Sequence, residues 1–89
     1  MNLMQVSDTD TAVLLADGPV RHVDLINREL TLDLTDGRVD FDVPTDCNIL
    51  LRGELVRLRT VQPRDSVRVA YVIRHGRRAA RTIDVRAGL

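Results

Sequence analysis

Arginine is the side chain here with the most binding chemistry, and it is placed unevenly. All thirteen basic residues are Arg, with no Lys. A guanidinium stays charged and offers a planar fork that grips carboxylate or phosphate two-handed. Residues 51–89 hold ten of the thirteen against three acids, a balance of +7, whereas residues 1–50 hold ten acids against three arginines, a balance of −7. The net charge of zero hides this split. Arg57, Arg59, Arg68, Arg74, Arg77 and Arg78 are therefore the candidate contacts for an anion, a nucleic acid or a protein partner. Such an asymmetry marks a basic binding face, unless the two halves neutralise each other in the fold, or the acidic face of one copy meets the basic face of another.

Other chemistries lack their residues. His22 and His75 are more than 50 positions apart, and no metal-ligand spacing surrounds either. Cys47 is the single cysteine, which excludes an internal disulfide and a thiolate cluster, and no Cys–His signature activates it. Asp40 and Asp42 lie at i and i+2 on one strand face; paired carboxylates can exchange protons, but on a solvated face they are surface charges. The five glycines are scattered singly, so no phosphate loop forms. The reading is non-enzymatic, with no metal and no cofactor.

The elements that must carry these groups have a period of two. Glu29 to Leu34 alternates with Leu30, Leu32 and Leu34 inward. Thr35-Asp36-Gly37 is a hairpin turn, and Arg38 to Val43 alternates again with Val39, Phe41 and Val43 inward until Pro44 ends it. Ser66 to Arg74 is a third alternating strand (Val67, Val69, Tyr71 and Ile73 inward), and His75-Gly76 turns it into a fourth over Arg77–Arg86 with Ile83 and Val85 inward. In that phase Arg81 would also point inward; a bulge near Ala79-Ala80, or a place at the open end of a barrel, resolves the conflict. Val20 to Leu25 reads as an earlier strand whose phase slips between Val20 and Val23, again a bulge. Whether Ala12–Ala16 continues it or forms a second short strand is left open by Asp17-Gly18-Pro19. Residues 49–58 suggest a small hairpin around Arg52-Gly53, and Arg59 to Gln62 a single helical turn. Five strands with short turns and no long helix predict an all-β, small five-stranded OB-like barrel, which also hides its strand edges.

The turn chemistry resembles that of a known group. The run Gly18 to Leu32, with Val23-Asp24, an Asn27 turn and Leu30-Thr31-Leu32, is similar to the opening of small bacterial OB-like domains of unknown function. Phe41-Asp42-Val43-Pro44-Thr45-Asp46 and Arg52-Gly53-Glu54-Leu55-Val56 look like their next two steps. Pro63-Arg64-Asp65-Ser66-Val67-Arg68-Val69 resembles their Pro-Gly-Asp-x-Val-x-Val, with Arg64 in place of Gly. A more distant resemblance is to the periplasmic copper-carrier OB family. That family's Cu(I) site implies a His, two Met and a Trp on the second and third strands, the soft donors Cu(I) prefers. Here those strands carry Leu, Asp, Val and Phe, so the resemblance implies the fold and not the cargo.

At 89 residues there is room for one domain, 1–89, with residues 1–10 expected as a loosely ordered arm. The start has no basic, apolar leader and no stretch approaches a membrane span, so a cytoplasmic setting is expected. An OB barrel that binds single strands needs aromatic platforms beside its basic groove. Phe41 and Tyr71 are the only aromatics and both are expected inward. Protein interaction or assembly, including self-association, is thus the first expectation; weak, salt-sensitive single-stranded nucleic-acid binding is the alternative.

Overall fold

The computed structural model describes residues 12–86; the expected N-terminal arm lies outside them. The described residues form seven strands: β1 Leu14–Asp24, β2 Glu29–Leu34, β3 Gly37–Asp42, β4 Asn48–Leu51, β5 Glu54–Leu55, β6 Ser66–Arg74 and β7 Arg77–Arg86. They form one sheet in the order β3-β2-β1-β6-β7-β4-β5, and β3 also meets β7, at Asp42 and Ala79. That bridge closes a five-stranded OB-like barrel from β1, β2, β3, β6 and β7. The β4–β5 hairpin extends the outer edge of β7, and one 3-10 turn, Leu58–Thr60, links it to β6.

β1 is a single bent strand. Leu14 to Pro19 pairs with β6 and Val20 to Asp24 pairs with β2. Pro19 sits where the two pairings meet, so its missing N–H interrupts neither ladder. Gly18 suits a close approach: a Cβ there would lie 2.8 Å from Leu34 Cδ2 and 3.1 Å from the Asp33 carbonyl oxygen, so the neighbours would have to give way. The residues that read as a breaker are the device that lets one strand serve two partners. The register slips between Val20 and His22, leaving Arg21 as the bulged residue. On β7 the slip falls opposite Ala70/Tyr71, and Arg81 is extra. Ala80 and Ile83 both reach the core there while Arg81 stays exposed, which removes the phase conflict.

The core gathers Val20, Leu30, Leu32, Phe41, Val43, Ile49, Leu58, Val61, Val67, Val69, Ala80, Ile83 and Val85. Leu34, Val39 and Tyr71 pack on its margin. The expected inward side chains are found there with one correction. Ile73 is 54% exposed, while its neighbour Val72 and that residue's partner Ala79 are buried. Ile73 is the next to last residue of β6, close to the hairpin turn, and no core residue lies opposite it: its partner is Arg78.

Turns are fixed by local bonds. Asp24 Oδ1 accepts from the Ile26 and Asn27 amides, both at 3.0 Å, and Oδ2 accepts from Asn27 Nδ2 at 3.0 Å. This Asx turn holds the Asp24 carboxyl below its ordinary value, chiefly through the Asn27 amide. Arg28 follows at φ 54° and is tied to the end of β3: the Val43 amide donates to the Arg28 carbonyl, and Arg28 Nε donates to the Val43 carbonyl, both at 2.9 Å.

Candidate functional site

The closure of the barrel decides where the arginines go. Glu29 and Asp42 stand directly opposite each other on β2 and β3, an unfavourable like-charge pair. Because Asp42 is also the residue that bridges to β7, the start of β7 is delivered beside it. Arg77 Nε and Nη2 donate to the two Asp42 oxygens at 2.7 Å each, and Nη2 lies 3.3 Å from Glu29 Oε2. One guanidinium thereby neutralises two carboxylates that would repel. The Arg77 hydrogen bond holds the Asp42 carboxyl below its ordinary value, against a smaller opposing effect of burial, and Asp42 in turn raises the pKa of Arg77.

Arg68 has a similar setting. On β6 it lies between Asp17 of β1 and Asp84 of β7 in the register. Its Nε is 3.1 Å from Asp17 Oδ1, and that hydrogen bond raises its pKa. Both arginines are about half exposed, so each pair alone contributes little. What matters is their placement: the pairs of Arg68 and Arg77 join the acidic half of the sequence to the basic half, and the surface they make is mixed.

The other four candidates fall in two places. Arg74 stands opposite Arg77, and Arg78 opposite Ile73, so the β6–β7 hairpin end brings Arg74, Arg77 and Arg78 together. Arg78 and Arg77 share a small concavity with Asp40 and Asp42, and Thr31 donates to Asp40 at 2.6 Å. Arg68 is six residues back along β6, roughly 20 Å away. Arg57 follows β5, three strand positions from β6, and Arg59 lies in the 3-10 turn. Arg57, Arg59, Arg74 and Arg78 make no ion pair with a described residue. No stacking platform accompanies them among the described residues. Phe41 is 1% exposed, and half-buried Tyr71 meets it edge-on, ring centroids 5.0 Å apart at 74°.

Two arginines outside that set converge instead. Gln62-Pro63-Arg64-Asp65 is a turn closed by the Asp65 amide donating to the Gln62 carbonyl at 3.0 Å, with Pro63 second and Arg64 third at φ 81°. Those are the marks of a type II turn, whose third position favours glycine. Reciprocal bonds dock it on β1: the Val20 amide donates to the Asp65 carbonyl at 2.8 Å, and the Arg64 amide to the Val20 carbonyl at 2.7 Å. Arg64 and the bulge residue Arg21 therefore line one concavity with Pro19, Val20, His22, Asp33 and Pro63. The sequence carried both signals, a phase slip at Val20–Val23 and an Arg where the resembling domains have Gly, but not that they meet. Replacing Arg64 by Gly is expected to stabilise the fold by about 1 kcal/mol, read as a higher urea midpoint at unchanged m-value.

Neither a family model nor a curated protein matches the chain. Solved structures do. The apo form of CusF from Escherichia coli superposes with TM-score 0.67 at 15% identity, covering 85% of this chain and 89% of that one. A silver(I)-bound E. coli CusF gives TM-score 0.67 at 16%, covering 89% and 98%. A tryptophan-to-alanine variant of E. coli CusF with copper(II) gives 0.63 at 17%, covering 83% and 91%. The chain has the OB-like barrel of CusF. At such identity the likeness shows the fold alone.

The donor set does not fit a soft cation. The sites on β2 and β3 are filled by Leu30, Leu32 and Phe41 in the core, and by carboxylates engaged with Arg21, Arg77 or Thr31. His22 lies on β1 and His75 in the β6–β7 turn. Among the described residues no three His, Cys, Asp or Glu side chains gather as metal ligands. The half-buried Cys47 thiol is pushed up to about 11 by burial, and so stays protonated and unreactive at neutral pH. At pH 8 its alkylation should be at least about tenfold slower in the folded protein than in urea, where the thiol returns to its ordinary pKa; equal rates would show that the barrel does not shield it.

Proposed function

We propose that this chain is a non-enzymatic interaction module that works through surface contact, with a protein partner or with further copies of itself. What carries the reading is the grouping of exposed apolar side chains at one end of the β1–β6–β7 sheet. Leu14 stands opposite Tyr71, and Ile73 continues that face two residues on; Leu15, opposite Ala70, is on the other face. Leu14, Leu15 and Ile73 are 43%, 64% and 54% exposed. Single exposed apolar residues are ordinary, whereas a group of them on both faces of a sheet end suits a protein contact. Two arginines of the basic block, Arg68 and Arg77, are paired with carboxylates of the acidic block, which favours the same reading by lowering the positive charge a nucleic acid would meet there.

Light scattering across protein and salt concentration tests the self-association arm. A mass above the monomer, returned to the monomer by combining Leu15→Asp with Ile73→Asp, is the expected result. A monomer under every condition would remove that arm and leave only a different protein as partner.

The alternative, weak single-stranded nucleic-acid binding, has one observation in its favour: Arg57, Arg59, Arg74 and Arg78 are free of described carboxylates. Phosphate contacts alone would give binding that fades steeply with salt. Titration of a labelled oligonucleotide at low and moderate salt tests it, and no binding at low salt removes it. Among the described residues no helix is long and apolar enough to cross a membrane. The cytoplasmic setting expected from the sequence remains a proposal, which a likeness of fold to CusF does not strengthen.

A further inference from the structure

We infer that the concavity between the β1 bulge and the Pro63-Arg64 turn is a binding site for a small phosphate-type oxyanion, with Arg21 and Arg64 as its ligands. The first observation is backbone strain. Arg64 holds φ 81° in a turn position where a side chain costs about 1 kcal/mol and Gly costs nothing. Non-glycine residues held in such conformations concentrate at ligand clamps. The second is the bulge. Arg21 is the residue the β1–β2 register leaves out, and bulges commonly re-aim a side chain beside a site. The third is that both devices open on one concavity of about 620 Å³ and are locked together by the two Val20 bonds described above. Pro19 and Pro63 stiffen its walls. The backbone segments that carry the two arginines are thus held on a common frame, which leaves only the side chains to be ordered when a ligand arrives.

The charges around the concavity allow it. Asp33 is the carboxylate in the lining, and Arg21 reaches it only at 3.5 Å. Arg38, the cross-strand partner of Asp33, lies 3.8 Å from its other oxygen. Arg21 can therefore turn to a ligand while Arg38 continues to neutralise Asp33. Two forked guanidinium groups match the tetrahedral, multiply charged phosphate better than a single carboxylate.

The test is an amide NMR titration of the intact chain with inorganic phosphate at fixed ionic strength, sodium chloride serving as the control and a phosphorylated sugar as a second arm. Saturable shifts are expected at Val20, Arg21, His22, Arg64 and Asp65 with a millimolar-range dissociation constant. They should weaken at least about fivefold in both Arg21→Gln and Arg64→Gly. Arg64→Gly should lose binding while its unfolding midpoint rises, which separates loss of a ligand from loss of fold. A tighter response to the phosphorylated sugar than to phosphate would point to a phosphorylated small molecule as the source, and equal responses to free phosphate. Shifts that chloride reproduces, shifts centred on Arg74–Arg78, or full binding by Arg64→Gly would each overturn the proposal.

Discussion

Truncating Phe41 to alanine should destabilise the fold by about 3–5 kcal/mol. The ring is 1% exposed, is among the largest fully buried side chains, and meets Tyr71 edge-to-face at 5.0 Å. The loss combines transfer of the ring to water, the cavity left behind, and the aromatic contact. It is large because the reserve is small: a chain of this size has a total stability of roughly 5–13 kcal/mol. Phe41→Leu keeps most of the apolar volume and should cost clearly less. Urea denaturation followed by circular dichroism checks both. A Phe41→Ala cost below that of Phe41→Leu would show that the barrel interior is not packed around this ring.

Charge reversal at Arg77 should have the second largest effect. The guanidinium lies between Glu29 and Asp42, which face each other across β2 and β3, with Asp40 nearby. Arg77→Glu would gather four carboxylates at the bridge that closes the barrel. The expected result is a marked fall in melting temperature, partly recovered in high salt and recovered further by adding Asp42→Arg. Acid gives the complementary signature. The folded-state pKa of Asp42 lies below its ordinary value of 3.8, so the unfolded chain takes up the proton first as pH falls. The stabilisation is therefore complete above about pH 4 and is lost as pH drops through the folded-state value. Arg77→Gln should flatten that part of the stability profile. A stability loss unchanged by salt and by Asp42→Arg would mean that packing, and not charge, holds this corner.

Much of the barrel was legible because its strands alternate. β2, β3 and β6 announce which face is buried through Leu30, Phe41 and Val69, and both bulges show as slips of phase near Arg21 and Arg81. What a local pattern cannot contain is the partner of each strand. Asp17-Gly18-Pro19 looks like an interruption unless it is known that β1 changes partner there and that Leu34 presses on Gly18. Ile73 alternates correctly yet faces solvent, because its β7 partner is Arg78 and no core residue. The pairing of Asp42 with Arg77, 35 positions apart, depends on the bridge that closes the barrel, and neither residue is distinctive alone. Of the six candidate arginines, Arg74, Arg77 and Arg78 meet at the β6–β7 hairpin end, while Arg57, Arg59 and Arg68 lie elsewhere, because residues clustered in sequence are distributed around a barrel by its topology. Arg21 and Arg64 were individually visible as a bulge and as a substituted glycine, and only the Val20 bonds bring them together.

The most direct probe of this charge arrangement is the titration of Asp42 by NMR in the native chain and in Arg77→Gln. With Arg77 of the basic half bound to Asp42 of the acidic half at the closure, the Asp42 carboxyl titrates below the ordinary aspartate range in the native chain and moves back up in the variant. An ordinary value in both proteins would mean that Arg77 does not sit on Asp42 in solution, and the charge pairing at the barrel closure would fall with it.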